Sequence, residues 1–296
     1  MSLWPEPLAR AYAACEALAR SHYENFPVAS QLLPAPMRPH VAAVYAFARV
    51  ADDIADEGSA PAADRLAQLN AWQRRLHAAV TVEDAEGAAH EHEDLIVAAL
   101  AHSIRSLDLP IALFDDLVSA FGQDTMTTRY ASWTDVFDYC RRSANPVGRL
   151  VLRIAGHRDE SLDRSSDALC TALQLTNFWQ DVGRDWERDR LYVPLDDVGA
   201  CQAEVRDLSD RNLTDAWRCA LQRVARRTRE LFRGGRAVCD GVGGRLRCEL
   251  RITWLGGVRI LDRLERNNFD VFASRPELTM ADVPSLLWNA LTWRAR

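Results

Sequence analysis

Lysine is missing from this 296-residue sequence: all 36 basic residues are arginine. Lysine Schiff-base chemistry and a phosphate-loop lysine are therefore excluded. Cysteine is sparse and scattered, at positions 15, 140, 170, 201, 219, 239 and 248. No CxxC pair exists, so a zinc ribbon or a thioredoxin-type site is not expected, and the thiols read as buried and reduced. No run of 18 apolar residues occurs, so no membrane span is expected. The first 20 residues lack a basic start and an unbroken apolar stretch, so they do not read as a signal peptide, and a cytoplasmic protein is expected. Strand-like alternation and repeats of fixed period are also nearly absent. Net charge is −6, from 42 acids against 36 bases, which disfavours nucleic acid as a partner. No strand followed by GxGxxG is present, and Gly241-Val242-Gly243-Gly244 reads as a linker between helices, so no nicotinamide cofactor is expected.

What remains is a helical sequence. Apolar residues recur at three- and four-residue spacing between a few Pro and Gly breaks. The pattern predicts an all-α protein, a single domain over 1–296, with helices at roughly 7–21, 37–56, 63–81, 93–107, 110–122, 133–156, 163–187, 213–239, 245–266 and 281–293. Charge is uneven: between Arg211 and Arg266 stand 14 arginines and six acids. That stretch is either a set of solvated helix faces or a footing on an anionic membrane surface.

Two helices carry the chemistry. In VYAFARVADDIADEG, Tyr45, Arg49, Asp52 and Asp56 stand at i, i+4, i+7 and i+11, on one stripe, with Val44, Phe47, Ala51 and Ile54 around it. In ALQLTNFWQDVGRDWERDRLYVP, Asn177, Asp181 and Asp185 share a face beside Phe178, Trp179 and Val182, and Gln180 adjoins the acids. A single acidic i,i+4 pair means little, because about six arise by chance at this acid content. Two pairs, each in an aromatic- and alanine-rich helix, are unusual. Such hard oxygen ligands suit Mg²⁺, which keeps several waters and bridges to phosphate oxygens. Acids above apolar walls suggest a diphosphate on a hydrocarbon chain, the metal neutralising the leaving group and aromatic faces stabilising a carbocation.

YAFARVADDIADE and QLTNFWQDVGRDWERDRLYVP resemble the two aspartate-rich motifs of the squalene/phytoene synthase family, and the resemblance runs from HYENFPVASQLLP at 22–34 to about residue 195. It implies the all-α isoprenoid-synthase fold with a central apolar cavity. It also implies that Asp52, Asp56, Asp181 and Asp185 hold Mg²⁺ against a substrate diphosphate, with Asn177 assisting. Tyr45 and Arg49 match diphosphate-side residues, Tyr139 in DYCRRSANPVG matches a cavity tyrosine, and Arg190 and Tyr192 match the segment closing over the second motif.

Three departures narrow the reading. Gln180 stands where many condensing members have arginine, SANPVG at 143–148 where they have small residues, and His22-Tyr23-Glu24-Asn25-Phe26 where they carry Ser and Lys. Fewer cations weaken the case for holding two prenyl diphosphates at once. HYENFPVAS, SANPVG and LTNFWQDV together resemble the hydroxysqualene-forming branch of bacterial hopanoid biosynthesis. That resemblance implies presqualene diphosphate as substrate, water as the final nucleophile, Asn145 and Gln180 as candidates to orient it, and His22 as a candidate substrate contact. The alternatives are a head-to-head prenyl transferase using two prenyl diphosphates, and a non-catalytic assembly factor of the same fold, against which the intact aspartates argue.

Overall fold

The computed structural model describes residues 4–21, 32–58, 60–81 and 92–293. Among them it is helical almost throughout, with one isolated parallel bridge, Arg129 to Leu191, and no strand. The chain forms two compact units, Met1–Met126 with Pro146–Asp159, and Thr127–Asn145 with Glu160–Arg296.

The first unit holds α1 (Glu6–Ser21), α2 (Arg38–Asp56), α3 (Ala62–Thr81), α4 (His92–Leu107) and α5 (Ala112–Asp124). Pro39 suits the first turn of α2, where its missing N–H costs nothing. Val41, Val44, Phe47, Ala51 and Ala55 then recur at helical spacing on its buried face. Phe47 is fully buried, stacked on Trp72 at 5.2 Å and edge-on to Phe114 at 5.8 Å, and Trp72 Nε1 donates to its carbonyl. Tyr12 joins α1 to α2 and α4: its hydroxyl lies 3.2 Å from His40 Nδ1, 2.8 Å from His102 Nδ1 and 2.8 Å from Ser103 Oγ.

The helix expected over 133–156 is two helices, α6 (Trp133–Ser143) and α7 (Asn145–Ile154), parted at Ala144. Pro146 is the cause, since it has no N–H for the ladder and crowds the carbonyl four residues earlier. From Pro146 on, α7 belongs to the first unit; the second unit holds α6, α8 (Glu160–Glu187), α9 (Leu195–Ala200), α10 (Arg206–Ser209), α11 (Asp215–Gly241), α12 (Gly244–Arg266) and α13 (Val283–Thr292). The short α9 and α10 fall where periodicity is too brief to read. α8 and α11 approach closely at Gly235, where a Cβ would lie 2.6 Å from Leu169 N. Trp179, fully buried, closes that seam by donating to Thr228 Oγ1 at 2.8 Å.

The cysteine expectation needs correction. Cys201, at the end of α9, is disulfide-bonded to Cys219 of α11, with Cα atoms 5.9 Å apart. Their 18-residue spacing carries no motif; the fold creates the pair. Cys15, Cys140 and Cys239 are buried free thiols, and burial pushes Cys15 and Cys239 up to about 12.

Candidate active site

On α2, Tyr45, Arg49 and Asp52 form a half-buried stripe that ends at the exposed Asp56. Arg49 is compensated along its own helix: Nη1 lies 3.2 Å from Asp52 Oδ2, and Nη2 meets Asp53 and, at 3.3 Å, Glu57 Oε1. Burial opposes the Arg49 charge, but Asp53 and Asp52 outweigh it and raise its pKa. The Tyr45 phenol is raised chiefly by burial, against the pull of Arg49. Phe47 is a core residue, as its stacking on Trp72 shows.

In the second unit, Asp181 and Asp185 are half-buried and Asn177 is exposed on α8. The α8 C-terminus is closed by Asp185, whose carbonyl accepts from Arg188 N at 3.0 Å and Arg190 N at 2.8 Å. Asp189 follows in the left-handed region (φ 57°), which Asp tolerates better than most residues. The reversed chain is pinned to segment 128–131 by Leu191 N to Thr128 O, Leu195 N to Tyr130 O and the Arg129–Asp189 ion pair. This turn carries Arg190, half-buried, and lays Tyr192 over Phe178, ring to ring at 3.8 Å and nearly parallel.

Tyr139 joins that stack. A capping box between Ser132 and Asp135 fixes the start of α6, and Tyr139 sits 6.0 Å from Phe178, 5.9 Å from Tyr192 and 5.7 Å from Tyr130. Four buried rings thus gather one turn before Asp181. Trp179 points instead into the α8–α11 core. Asn145, at the head of α7, accepts through Oδ1 from Thr171 Oγ1 at 2.9 Å. His22 lies outside the described residues.

Sequence reasoning missed Arg275. Its guanidinium clasps Asp181 through two contacts, Nε to Oδ1 at 2.6 Å and Nη2 to Oδ2 at 2.9 Å, and reaches Glu277 at 3.1 Å. The Asp181 bonds are the main reason its pKa is raised. Gln180, buried, donates its amide to Pro276 O, and Gly183 leaves room for Phe272, whose ring would lie 3.1 Å from a Cβ there. The segment after α12 therefore covers the second motif. Asn268 and Phe269, both at positive φ, make the reversal that sends it there. The expectation that Gln180 leaves this motif poor in cations is overturned, because Arg275 supplies one from 94 residues away. Its only trace in the sequence is a lone arginine in a stretch without helical period.

No group of three or more His, Cys, Asp or Glu ligands converges among the described residues. Each motif thus offers carboxylate oxygens but not a full coordination shell, a donor set that suits a hard cation completed by water and phosphate oxygens.

An all-helical chain carrying two acidic helices of this kind has known counterparts. A family model described as squalene/phytoene synthase matches residues 19–282, and the chain belongs to that family of enzymes, which act on prenyl diphosphates in isoprenoid biosynthesis. Hydroxysqualene synthase of Zymomonas mobilis is 38% identical over 71% of this chain and 68% of its own length. That of Rhodopseudomonas palustris is 36% identical over 72% and 69%. The crystal structure of squalene synthase HpnC from Alicyclobacillus acidocaldarius is 39% identical, with a TM-score of 0.81 over 90% of this chain and 97% of that one. A dehydrosqualene synthase crystallised with a ligand shares the fold at a TM-score of 0.83 and 20% identity, over 97% and 99%.

Proposed function

We propose that this enzyme is a hydroxysqualene synthase of the hopanoid route, ionising presqualene diphosphate and allowing water to capture the rearranged cation. The carbon–oxygen bond breaks with its electron pair leaving on diphosphate. A water oxygen then bonds to carbon and loses a proton to solvent. Mg²⁺, when bound, would neutralise the departing diphosphate. Asp52 and Asp56 in the first unit and Asp181 and Asp185 in the second are its candidate holders, with Asn177 assisting.

The observation that carries this reading is the juxtaposition on α8: a carboxylate pair for a metal diphosphate, and one turn away the Phe178, Tyr192, Tyr139 and Tyr130 rings, whose faces can stabilise a cation. The choice of water as nucleophile is supported by the relatives named hydroxysqualene synthase. Asn145 is the better candidate to orient it. Its Oδ1 is bonded to Thr171 and its amide donates to no described residue, whereas the Gln180 amide is spent on Pro276.

Arg275 favours a second reading, because a cation at the second motif is what a condensing enzyme would use to hold another diphosphate. Supplying purified protein with Mg²⁺ and either presqualene diphosphate or farnesyl diphosphate, without nicotinamide, separates the two. Consumption of presqualene diphosphate alone, giving an alcohol, is expected; consumption of farnesyl diphosphate would establish the condensing reading. In Asn145→Ala, diphosphate release should persist while product shifts toward dehydrated hydrocarbon.

A further inference from the structure

Most of the arginine-rich stretch is not a free basic face. Arg211, Arg218, Arg223, Arg229, Arg251, Arg259, Arg263 and Arg266 all meet carboxylates. One part differs. On α11, Arg226, Arg229, Arg233 and Arg236 follow at three- and four-residue spacing. A cleft of about 520 Å³ between α11 and α12 is lined by Arg233 and Arg236 together with the carboxylate-paired Arg229, Arg259 and Arg266, five arginines against Asp262 as the single acid in its wall. Arg233 is exposed and pairs with no described carboxylate. The cleft ends at Asn289 of α13, and a neighbouring cleft of about 340 Å³ is walled by Trp254, Trp288 and Trp293.

Helix α13 itself has no charged residue. It packs on α12 through Leu286 and Ala290, yet its outer face is also apolar: Val283, Leu287 and Leu291 succeed one another at four-residue spacing, beside Trp288. Leu291 is 72% exposed, Trp288 67% and the preceding Met280 83%. Asp282, gripping Arg259 at 3.0 Å and Arg263 at 2.6 Å, fixes the start of this helix beside the arginine cleft.

We propose that α13 and the arginine cleft form a foot that docks on an anionic bilayer, the Val283–Leu291 face and Trp288 entering the acyl boundary and the cleft receiving headgroup phosphates. Charge complementarity selects this occupant: exposed leucines alone would suit any apolar partner, but a cationic cleft beside an uncharged, tryptophan-bearing helix matches the layered chemistry of a lipid interface. The inference deepens the proposed function, whose substrate partitions into membranes, but vesicle binding needs no substrate.

The test is co-sedimentation with vesicles of phosphatidylcholine alone or mixed with phosphatidylglycerol. Binding about tenfold stronger to the anionic vesicles is expected, falling steeply with salt. Leu287→Asp with Leu291→Asp should lower binding about tenfold, and Arg233→Glu should lower it only on anionic vesicles. Both variants should turn over detergent-dispersed substrate as the parent does. Equal binding to both vesicle types, or undiminished binding by the double variant, overturns the proposal. So does a dimer in sedimentation velocity that the leucine variant dissociates, since a second copy would then own the face. Failure of the proposed reaction would appear separately, as absent turnover with vesicle binding intact.

Discussion

Asp52 of α2 meets its cation on its own helix, whereas Asp181 of α8, with Arg184 of its own helix only at 3.9 Å, is clasped by one delivered by a distant segment. Arg49 reaches Asp52, Asp53 and Glu57 within two turns, and the Asp52 side chain remains 41% exposed. Asp181 is 22% exposed and is held in a two-point clasp by Arg275, with Gln180 and Gly183 receiving the same segment. Both pairs are alike as spacing. They differ in what a metal, bound as proposed, would meet: at α2 a 41% exposed carboxylate with a long contact to Arg49, and at α8 a two-point guanidinium clasp that would have to give way or share its oxygens.

The largest expected effect tests the pairs equally. Asp52→Asn and Asp181→Asn should each lower turnover by at least about a hundredfold at saturating Mg²⁺. They should differ elsewhere. Only Asp181→Asn releases Arg275, so only it should speed amide exchange across 270–279, and equal exchange in both variants would break the contrast.

Arg275→Gln sharpens the same point. With the guanidinium gone, Mn²⁺ titrated into substrate-free protein and followed by electron spin resonance should bind about tenfold more tightly, the worth of one removed counter-charge at a partly buried carboxylate. Unchanged affinity would mean that Arg275 does not compete for Asp181.

A smaller effect separates the units by pH. The described histidines, His40, His77, His92, His102 and His157, all lie in the first unit. Burial lowers both His40 and His102, with the charge of His102 adding to the effect on His40 and that of Arg105 to the effect on His102. The folded state therefore binds fewer protons than the unfolded one just below the ordinary histidine value. The stability these residues lend is present above about pH 6.5 and is lost as pH falls through their lowered values. Amide exchange in α1 and α4 should rise between about pH 6.5 and 5 while α11 and α12 hold. Tyr12→Phe, which removes the shared hydroxyl, should cost about 1 kcal/mol in urea unfolding at neutral pH. Acid sensitivity equal in both units would contradict this.

The Asp282 clasp should give the smallest effect of the series, with no pH dependence near neutrality. The Thr279 N–H, with Arg263 and Arg259 beside it, holds that carboxyl far below the usual carboxylate range. Its contribution is thus full above about pH 4 and is lost only in strong acid. Asp282→Asn should lower the Tm at pH 7 and leave it unchanged from the parent's at the acid extreme.

What was legible in the sequence was local. Helical period reveals all the long helices, and the i, i+4 stripes reveal both aspartate pairs, because both signals live within one helix. Pro146 split the 133–156 helix where its missing N–H required. Tyr139 and Tyr192 were identified through resemblance, but their stacking with Phe178 depends on the Asp189 reversal and on pairing with segment 128–131, which no periodicity carries. Arg275 and the Cys201–Cys219 bond were unreadable for the same reason: each depends on a tertiary meeting of segments whose own residues are unremarkable in sequence.

The central claim is that water, rather than a hydride donor or a second prenyl chain, ends the reaction. It is tested most directly by incubating the enzyme with Mg²⁺ and presqualene diphosphate in isotopically labelled water, without nicotinamide, and weighing the product by mass spectrometry. The account predicts hydroxysqualene carrying one labelled oxygen, formed in step with diphosphate. An unlabelled hydrocarbon, or consumption only when a nicotinamide is added, would contradict it.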